Sequence, residues 1–415
     1  MSEVREKAAK AKEAARRMNR VTTEQKNEAL RLMADRLVAE SSAILEANAI
    51  DLVNGRQNGT SESLLDRLAL NDKRIGAIAE GLRQIIDLPD PTGRLLDETQ
   101  RPNGLLIRKY SVPLGTIGIV YEARPNVTVD AAGLCLKSGN AVVLRGGSAA
   151  LESNKAIIRI MHEALAQSSL PADCIQLIES SDRASVDEML KLNGLIDVII
   201  PRGGRSLIQN VIQNSTVPVI ETGEGICHTY LDEEADPVQA EAIVINAKVQ
   251  RPSVCNSLET LLVHESYAEK FLSALADKLK ELGVELRGCD RSRALVAGME
   301  AATEEDWRTE YNDLILSVKV VGGLDEALDH IAKYGTLHSE CIVTANAERA
   351  ERFLLEVDAA AVYHNASTRF TDGFEFGYGA EIGISTQKLH ARGPMGLPAL
   401  TSTKFVVHGS GQIRG

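Results

Sequence analysis

From residue 115 onward the chain alternates short β-rich runs with helical stretches, and this alternation constrains the fold more than any other feature of the sequence. It predicts a parallel, doubly wound sheet, because such alternation is typical of strands joined by crossover helices. The predicted strands are 116–121, 141–144, 175–178, 197–200 and 217–220, and the predicted helices are 129–137, 151–167, 185–192 and 205–213. A second alternation begins with a strand at 228–231, a helix near 237–249 and a strand at 259–263. We therefore expect two α/β domains.

The first 90 residues are predicted to be helical, and Thr22 with Gln25 forms a capping-box pattern at the start of the second helix. After Pro91 the pattern changes to two β-rich runs that flank Asn103-Gly104, a dipeptide that favours a tight hairpin turn. The β-rich tail at 400–407 is suited to pair with this hairpin or with another subunit.

Together these patterns divide the chain into four parts. We predict a first α/β domain at 1–93 and 111–226, a β arm at 94–110 and 398–415, a second α/β domain at 227–365, and a return segment to the first domain at 366–397.

Charge and cysteine usage exclude several classes of protein. The formal net charge of −12 argues against a nucleic-acid or anionic-membrane partner, since either would favour a basic patch. The six cysteines form no CxxC pair and no Cys/His metal spacing, a pattern typical of a reduced cytosol. The N-terminus is charged and no apolar stretch is long enough to span a bilayer. We expect a cytoplasmic protein with no metal site and no membrane segment.

Two glycine-rich turns are predicted at the carboxyl ends of strands, where ligands bind in sheets of this kind. Their residues are Arg145, Gly146, Gly147 and Ser148 in the first turn and Arg202, Gly203 and Gly204 in the second. Each turn precedes a predicted helix, so that backbone N–H groups could face a phosphate. The alternative is that the glycines simply turn the chain. No GxGxxG fingerprint follows the first strand, so a dinucleotide would bind without it.

Cys255 is the candidate nucleophile, because it lies in a polar, proline-containing loop close to Arg251. The thiolate is the reactive form of cysteine, and a neighbouring cation favours it whereas apolar burial does not. The alternative is a buried cysteine that acts as a small hydrophobe. We apply that alternative to Cys135, Cys174, Cys227, Cys289 and Cys341.

A Cys/His dyad formed by Cys227 and His228 is not expected. The two residues are adjacent on a predicted strand, and neighbouring side chains on a strand point to opposite faces of the sheet.

Five ordered motifs carry a family resemblance that covers nearly the whole chain. They are VPLGTIGIVYEARPNVT at 112–128, KSGN at 137–140, LRGGS at 144–148, QRPSVC at 250–255 and HSE at 338–340. They resemble the glutamate-5-semialdehyde dehydrogenases, also called gamma-glutamyl phosphate reductases, of the aldehyde dehydrogenase superfamily. The resemblance implies an aldehyde dehydrogenase-like α/β fold with two doubly wound domains and a small β arm. The domain at 1–93 and 111–226 would bind the nucleotide cofactor, the domain at 227–365 would be catalytic, and the segment 366–397 would return to the cofactor domain. The β arm at 94–110 and 398–415 would serve oligomerisation.

The resemblance also implies a reaction, the NADPH-dependent reduction of L-glutamyl 5-phosphate to L-glutamate 5-semialdehyde with release of phosphate. This is the second step of proline synthesis from glutamate. Cys255 would attack the acyl phosphate and form a thioester, which hydride transfer would convert to a thiohemiacetal that collapses to the aldehyde. Two alternatives stay open: a CoA-acylating aldehyde dehydrogenase, and a catalytically silent oligomeric binding protein of the same fold. Because the acyl phosphate is short-lived, association with glutamate 5-kinase is a chemical expectation.

Roles for further residues follow from the same resemblance. Asn126 is similar to the superfamily's oxyanion donor, with a turn-fixing asparagine after Pro125 as the alternative. Glu221 falls where hydrolytic relatives carry the base that activates water. Because water would destroy the thioester, Glu221 would instead tune the thiol or contact the nicotinamide ribose, or else be a carboxylate at the edge of the core. Substrate anions need cations and polar partners, and the predicted substrate-binding residues are Arg124, Lys137, Arg251, Asn256 and Ser257.

Arg145 predicts a preference for NADPH. It closes a predicted strand, and the residues after it carry no carboxylate of the kind that holds the ribose 2′-hydroxyl of NAD. A guanidinium pairs well with a 2′-phosphate. Glu152, one turn into the next helix, would weaken the preference, and an arginine that only solvates the helix is the alternative.

Overall fold

The computed structural model describes residues 1–122 and 124–414. Ala123, inside the 112–128 motif, and Gly415, the last residue of the predicted β arm, lie outside the described residues. The chain divides into two units: unit 1 contains residues 1–222, 377–383 and 395–415, and unit 2 contains residues 223–376 and 384–394. The segment 366–397, predicted as one return segment, therefore alternates between the two units.

In chain order the helices are α1 (Glu3–Met18), α2 (Thr23–Ala39), α3 (Ser41–Gln57), α4 (Glu62–Leu68), α5 (Asp72–Asp87), α6 (Pro125–Lys137), α7 (Leu151–Leu165), α8 (Arg183–Met189), α9 (Arg205–Asn214), α10 (Pro237–Val249), α11 (Glu265–Tyr267), α12 (Ser273–Glu281), α13 (Asp290–Leu295), α14 (Leu324–Tyr334) and α15 (Ala347–Glu356). The strands are β1 (Leu95–Gln100), β2 (Leu106–Pro113), β3 (Thr116–Tyr121), β4 (Ala141–Arg145), β5 (Ile175–Leu177), β6 (Val198–Arg202), β7 (Cys227–Leu231), β8 (Leu258–His264), β9 (Glu285–Gly288), β10 (Glu300–Ala301), β11 (Ile315–Val321), β12 (Ser339–Val343), β13 (Ala361–His364), β14 (Ile384–Ser385), β15 (Gly393–Pro394) and β16 (Thr401–His408).

The helices before residue 90 form as predicted. In the capping box at the start of α2, the backbone N–H of Gln25 donates to Thr22 Oγ1 (3.3 Å) and the backbone N–H of Thr22 donates to Gln25 Oε1 (2.9 Å). The apolar face of α2 is fully buried, and the helix packs against α5 and α7. Among the helices of the described residues, none is long and apolar enough to cross a membrane.

Unit 1 contains a parallel sheet with the strand order β5-β4-β3-β6. Every residue of β3 and β4 is buried, as expected for a parallel sheet covered on both faces. The chain builds outward from β3 through β4 to β5 and then returns to the other side of β3 with β6. Ligands bind at such a reversal, outside the carboxyl ends of the strands. The fold class predicted from the sequence is therefore confirmed, and the switch point lies between β3 and β6.

The predicted strand at 217–220 is wrong. It forms a single bridge, in which Ile199 pairs with Val219, rather than a ladder. Pro218 lies inside this segment and has no N–H to donate, which limits pairing to isolated bonds.

A three-stranded antiparallel sheet forms the β arm. The predicted hairpin is present as β1 and β2, and β16 pairs with the other edge of β2 from Thr401 opposite Pro113 to His408 opposite Leu106. Asn140 ties this tail to the parallel sheet, because its amide accepts from Gly115 N (2.8 Å) and donates to Leu400 O (2.9 Å). The KSGN motif therefore contributes to the fold through Asn140.

Deletion of the chain from Thr401 onward is expected to abolish the oligomer or to make the protein insoluble. The deletion removes β16 and leaves β2 with an unpaired edge, while β1 is already an exposed edge strand. Unpaired edges that proteins leave uncovered promote non-native pairing. Light scattering after gel filtration would measure the mass of the soluble species. Recovery of a stable and active monomer would refute a role for the arm in assembly.

Unit 2 contains a parallel sheet with the strand order β10-β9-β11-β8-β7-β12-β13. Leucine, valine and alanine side chains from the central strands and from α10 and α12 fill its main core. The loop that carries Cys255 joins α10 to β8 and so lies at the amino ends of the central strands. The segments that lead into β7 and β12 reach the same edge of the sheet.

Candidate functional site

Cys255 lies in a tight turn that is held by hydrogen bonds to backbone carbonyl groups. Ser257 N donates to Val254 O (3.0 Å), and Ser257 Oγ donates to Ala247 O (3.2 Å) at the end of α10. Cys255 itself is partly exposed. A cysteine that is partly exposed yet held in a short turn suits a nucleophile, because its position relative to a bound substrate is preset.

The carbonyl oxygen of Cys255 packs directly on Gly225, within unit 2. A Cβ atom at position 225 would overlap this oxygen, so only glycine fits there. The thiol of Cys227, at the start of β7, donates to the same oxygen (3.3 Å). Burial raises the pKa of the Cys227 thiol well above its ordinary value, so it keeps its proton and acts as a donor. The sequence suggested that Cys227 is only a small hydrophobic residue of the core. Its contact with the Cys255 carbonyl gives it a further role.

Asn256 and Ser257 do not present their side chains to a substrate, contrary to our expectation. The amide of Asn256 is buried and donates to Arg369 O (3.3 Å) and Thr371 O (2.9 Å), while Thr368 Oγ1 donates to Asn256 O (2.8 Å). The Ser257 hydroxyl is bonded to α10. Both residues fasten the Cys255 turn to neighbouring segments instead.

Two guanidinium groups lie at this turn. Arg251 is exposed, and Arg369 is half-buried with its Nε donating to Gln250 Oε1 (3.0 Å). The pKa of Arg369 is lowered by burial first and by the positive charge of Arg251 next, while the charge of Cys255 acts in the opposite direction. The two cations and the thiol are therefore close enough to influence one another. Sequence analysis missed Arg369, because it is 119 positions from Gln250 in the chain.

The HSE motif, which had no role assigned from the sequence, borders the Cys255 turn. His338 Nδ1 lies 3.8 Å from Cys227 Sγ and 2.8 Å from Ser339 Oγ, which in turn lies 2.6 Å from Thr371 Oγ1. A buried line of polar groups thus runs from the thiol of Cys227 to the segment that anchors Asn256.

Glu340 completes the motif on the opposite face of the sheet. Its Oε2 accepts from His228 N (2.7 Å) and contacts His228 Nδ1 (3.0 Å). Burial raises the pKa of this carboxyl. Cys227 and His228 therefore have different partners on opposite faces, which confirms that they form no dyad.

In unit 1 the turn after β6 offers a site for an anion. Gly204 is the N-cap residue of this ten-residue helix, α9, and has no side chain to bond the first turn. The N-terminus of a helix favours an anion. Gly203 has a second reason to lack a side chain, since a Cβ atom there would lie 2.7 Å from Glu122 Cδ. Arg202 ends β6 beside the switch point.

The turn after β4 does not offer the helix terminus that we expected. The carboxylate of Asp51, on α3, already accepts from Glu152 N (3.1 Å) and Ser153 N (2.8 Å) in the first turn of α7. Side-chain carboxylates favour helix N-termini for the same reason that phosphates do. A short 3-10 turn at Ser148–Ala150 lies between Gly146-Gly147 and this helix, and a cofactor role for Gly146, Gly147 and Ser148 stays a prediction.

Arg145 is more deeply buried, and bonded to more protein groups, than we expected. Its guanidinium is buried and donates to Ser185 Oγ (3.4 Å), Gly146 O (3.2 Å), Ser181 O (2.9 Å) and Asp182 O (3.1 Å). A guanidinium has five N–H groups, so these four contacts leave at most one for a cofactor. The alternative of an arginine that only solvates the helix is wrong.

The prediction that Lys137 binds the substrate is wrong. Its side chain is fully buried, and its ammonium donates to Asn27 Oδ1 (2.7 Å) and Ile86 O (2.8 Å). Burial lowers its pKa. The ammonium joins α6 to α2 and α5 and is not available to a substrate anion.

For the remaining candidate residues of unit 1, the structure gives positions but does not test their roles. Arg124 is exposed at the N-cap of α6, and Asn126 lies in the first turn of that helix with Nδ2 donating to Asp130 Oδ2 (3.2 Å). Glu221 is half-buried on the extended segment beside β6, next to Thr222, whose hydroxyl donates to Pro201 O (3.0 Å). Their roles in chemistry stay predictions.

Comparison with known proteins identifies relatives of the whole chain. Residues 1–294 match the model of the aldehyde dehydrogenase family. A gamma-glutamyl phosphate reductase of Moorella thermoacetica is 60% identical over 412 residues, covering 99% of each chain, and one of Bacillus mycoides is 56% identical over 414 residues, covering all of each chain. The crystal structure of a gamma-glutamyl phosphate reductase from Thermotoga maritima is 51% identical, covers all of both chains and superposes with a TM-score of 0.98.

Proposed function

The chain belongs to the aldehyde dehydrogenase family, and from its full-length similarity to gamma-glutamyl phosphate reductases we infer that it reduces L-glutamyl 5-phosphate to L-glutamate 5-semialdehyde with release of phosphate. One observation carries the proposal. A partly exposed cysteine lies in a tight turn close to two guanidinium groups, within a chain that is 60% identical to such a reductase. The reaction is the second step of proline synthesis from glutamate.

Cys255 performs the covalent step. Its thiolate attacks the acyl carbon, the carbon–oxygen bond to phosphate breaks, and phosphate leaves with the electron pair, so that a thioester remains on Cys255. Arg251 and Arg369 supply positive charge for the phosphate or the substrate's carboxylate, and the bidentate geometry of arginine suits both.

Charge develops on the carbonyl oxygen during attack, so preorganised donors should surround it. The backbone N–H of Cys255 is one candidate, and Asn126 keeps a second amide N–H beyond the one given to Asp130. Loss of one such donor typically costs roughly 2.7 to 4 kcal/mol. We assign Glu221 to tuning the thiol or contacting the nicotinamide ribose, since activated water would hydrolyse the thioester.

A nicotinamide cofactor fits unit 1 at the switch point. The N-terminus of α9, with Gly203 and Gly204, would hold the pyrophosphate, and Arg145 would face the adenosine ribose. When bound, the cofactor supplies the hydride that reduces the thioester, after which Cys255 is released as thiolate. We propose NADPH as the preferred form.

Arg145→Ala is expected to lower kcat/KM with NADPH more than with NADH, by about ten- to a hundredfold. The structure leaves Arg145 one N–H for the 2′-phosphate, and one charge-assisted hydrogen bond contributes roughly 1.5 to 3 kcal/mol. Steady-state kinetics with both cofactors measure the ratio. Ser185→Ala disturbs the same contacts but keeps the charge, so it should leave the ratio unchanged. Equal losses with both cofactors would show that Arg145 is only structural.

The proposed function can be tested by running the reaction in the reverse direction. Purified protein given pyrroline-5-carboxylate and NADP⁺ should form NADPH only when phosphate or arsenate is present, because either anion can take the acyl group from Cys255. CoA should not replace phosphate. Turnover that needs CoA would favour the acylating alternative, and no turnover with any acceptor would favour a silent binding protein.

Two partners are proposed on chemical grounds. The β arm is suited to a homo-oligomer, because β1 is an exposed edge strand. The acyl phosphate is short-lived, so association with the kinase that produces it would shorten its path to Cys255.

A further inference from the structure

The carbonyl oxygen of Cys255 has two neighbours from one short segment. The Cα atom of Gly225 lies against it, and the thiol of Cys227 lies 3.3 Å from it. Cys227 is fully buried, so this contact is shielded from water. A hydrogen bond in such surroundings is stronger than the same bond at the surface.

The segment that makes these contacts is itself firmly held. Gly225 N donates to Glu310 Oε1 (2.8 Å), and Ile226 N donates to Thr336 Oγ1 (3.0 Å). Cys227 then enters the central sheet, where it pairs with Leu258 of β8. Three consecutive residues are thus anchored to separate parts of unit 2, and they form a rigid support below the turn.

The other side of the same peptide group is also fixed. Asn256 is bonded through its side chain to the 369–371 segment and through its carbonyl to Thr368. The peptide plane that joins Cys255 to Asn256 therefore has supports at both ends. Displacement of this peptide group would move the Cα atom of Cys255 and with it the sulfur.

Proton positions in the buried line of polar groups are consistent with donation from Cys227. Tyr363 can donate to Thr371, Thr371 to Ser339, and Ser339 to His338 Nδ1, over distances of 2.7, 2.6 and 2.8 Å. His338 Nδ1 is then an occupied acceptor. The single proton of the Cys227 thiol is left for the carbonyl of Cys255.

We propose that Cys227 is a positioning residue, whose thiol holds the Cys255 carbonyl against Gly225 and thereby sets the place of the nucleophilic sulfur. This rests on the proposed function of Cys255. Cys227 takes no covalent part in the reaction. Its contribution is to keep the sulfur in a geometry suited to attack, and small misplacements of a reacting group lower kcat much more than KM.

The test compares Cys227→Ala, which removes the donor, with Cys227→Ser, which keeps one. Cys227→Ala should lower kcat about tenfold, the effect of one lost hydrogen bond of about 1.4 kcal/mol, with KM for pyrroline-5-carboxylate within about twofold. Cys227→Ser should recover most of kcat. The matched control is Cys341→Ala, which removes an equally buried thiol from the neighbouring strand β12 and should leave kcat within about twofold.

Two further variants cover a failure of Cys227→Ala to fold. Cys227→Val fills the volume without a donor, and its kcat should lie about tenfold below that of Cys227→Ser. Gly225→Ala places a methyl group where the carbonyl oxygen lies, and it should lower kcat at least as strongly. Equal kcat for the serine and valine variants, or wild-type kcat for Gly225→Ala, would overturn the proposal.

Failure of this proposal is distinguishable from failure of the proposed function. Iodoacetamide labelling of Cys255 should show the same pH midpoint in wild type and Cys227→Ala, because the nucleophile itself is unchanged. An inactive Cys255→Ser together with a fully active Cys227→Ala would refute positioning alone. An active Cys255→Ser would instead refute the covalent mechanism on which both rest.

Discussion

Cys255→Ser and Cys255→Ala are expected to lower kcat by at least about a thousandfold while leaving thermal unfolding nearly unchanged. Removal of a covalent nucleophile abolishes the acyl-transfer route, and losses of this size or larger are usual for such residues. The side chain is partly exposed, and the turn is held by the backbone and by Asn256, so the fold does not depend on the sulfur. Steady-state assays with phosphate and calorimetric melting would measure the two effects.

Cys289 is the matched control for this prediction. It is also partly exposed, and although burial raises the pKa of its thiol, hydrogen bonds from Ser292, Val320 and Arg291 outweigh burial and lower it. Cys289→Ser should keep full activity. Alkylation followed by mass spectrometry should be carried out in that background, where loss of activity should follow labelling of Cys255. Substantial turnover by Cys255→Ser, or inactivation by labelling of a different thiol, would end the assignment.

Lys248→Met is expected to lower the free energy of unfolding of unit 2 by about 3 to 5 kcal/mol, the range for removal of one partner of a buried ion pair. Lys248, on α10, and Glu259, on β8, are both fully buried, and Lys248 Nζ lies 2.7 Å from Glu259 Oε2. In the sequence, Lys248 precedes the Cys255 turn and Glu259 follows it. Without the ammonium, Glu259 would either hold an unpaired buried charge or take up a proton. Among the described residues, its remaining hydrogen bond is from Asn312 N (3.3 Å).

The penalty should depend on pH with a definite sign. Burial raises the pKa of Glu259 from 4.5 to about 7 even with Lys248 present. A carboxyl whose pKa is raised on folding binds more protons in the folded state, so its contribution to stability is present at low pH and is lost as pH rises through the folded pKa. Lys248→Met should therefore be less destabilised at pH 5 than at pH 8.

Urea unfolding followed by the fluorescence of Trp307 would measure this effect, because the single tryptophan lies buried in unit 2. The double variant Lys248→Met, Glu259→Leu should recover most of the loss, since it leaves no unpaired charge. Lys278→Met breaks the exposed pair with Glu241 and should cost less than about 1 kcal/mol. A loss below 1 kcal/mol for Lys248→Met, or a loss that does not change with pH, would contradict the prediction.

Much of the architecture was readable from local patterns. The β arm, the capping box at Thr22, the Cys255 loop and most strands of the parallel sheets formed where the sequence predicted them. Each helix, strand and turn depends on residues close to one another in sequence, so the periodicity of neighbouring side chains is enough to predict it. The family resemblance added the reaction, through ordered motifs that periodicity does not explain.

The roles of polar residues inside those motifs were mostly not readable. Lys137 and Asn256 were expected to meet substrate, yet their partners are protein groups 110 and 115 positions away in the chain. The N-terminus of α7 was expected to bind phosphate, yet Asp51, 101 positions earlier, already occupies it. Arg369 and Cys227 were overlooked as parts of the Cys255 site for the same reason.

The sequence by itself determined which elements form, in what order, and which cysteine is the candidate nucleophile. Only the tertiary structure decided which polar groups remain available to a ligand. A buried polar group must find a hydrogen-bond partner, and that partner is supplied by whichever distant segment packs beside it. No local pattern records that choice, so Arg145, Lys137 and Cys227 acquired their roles only when the sheets and helices had assembled around them.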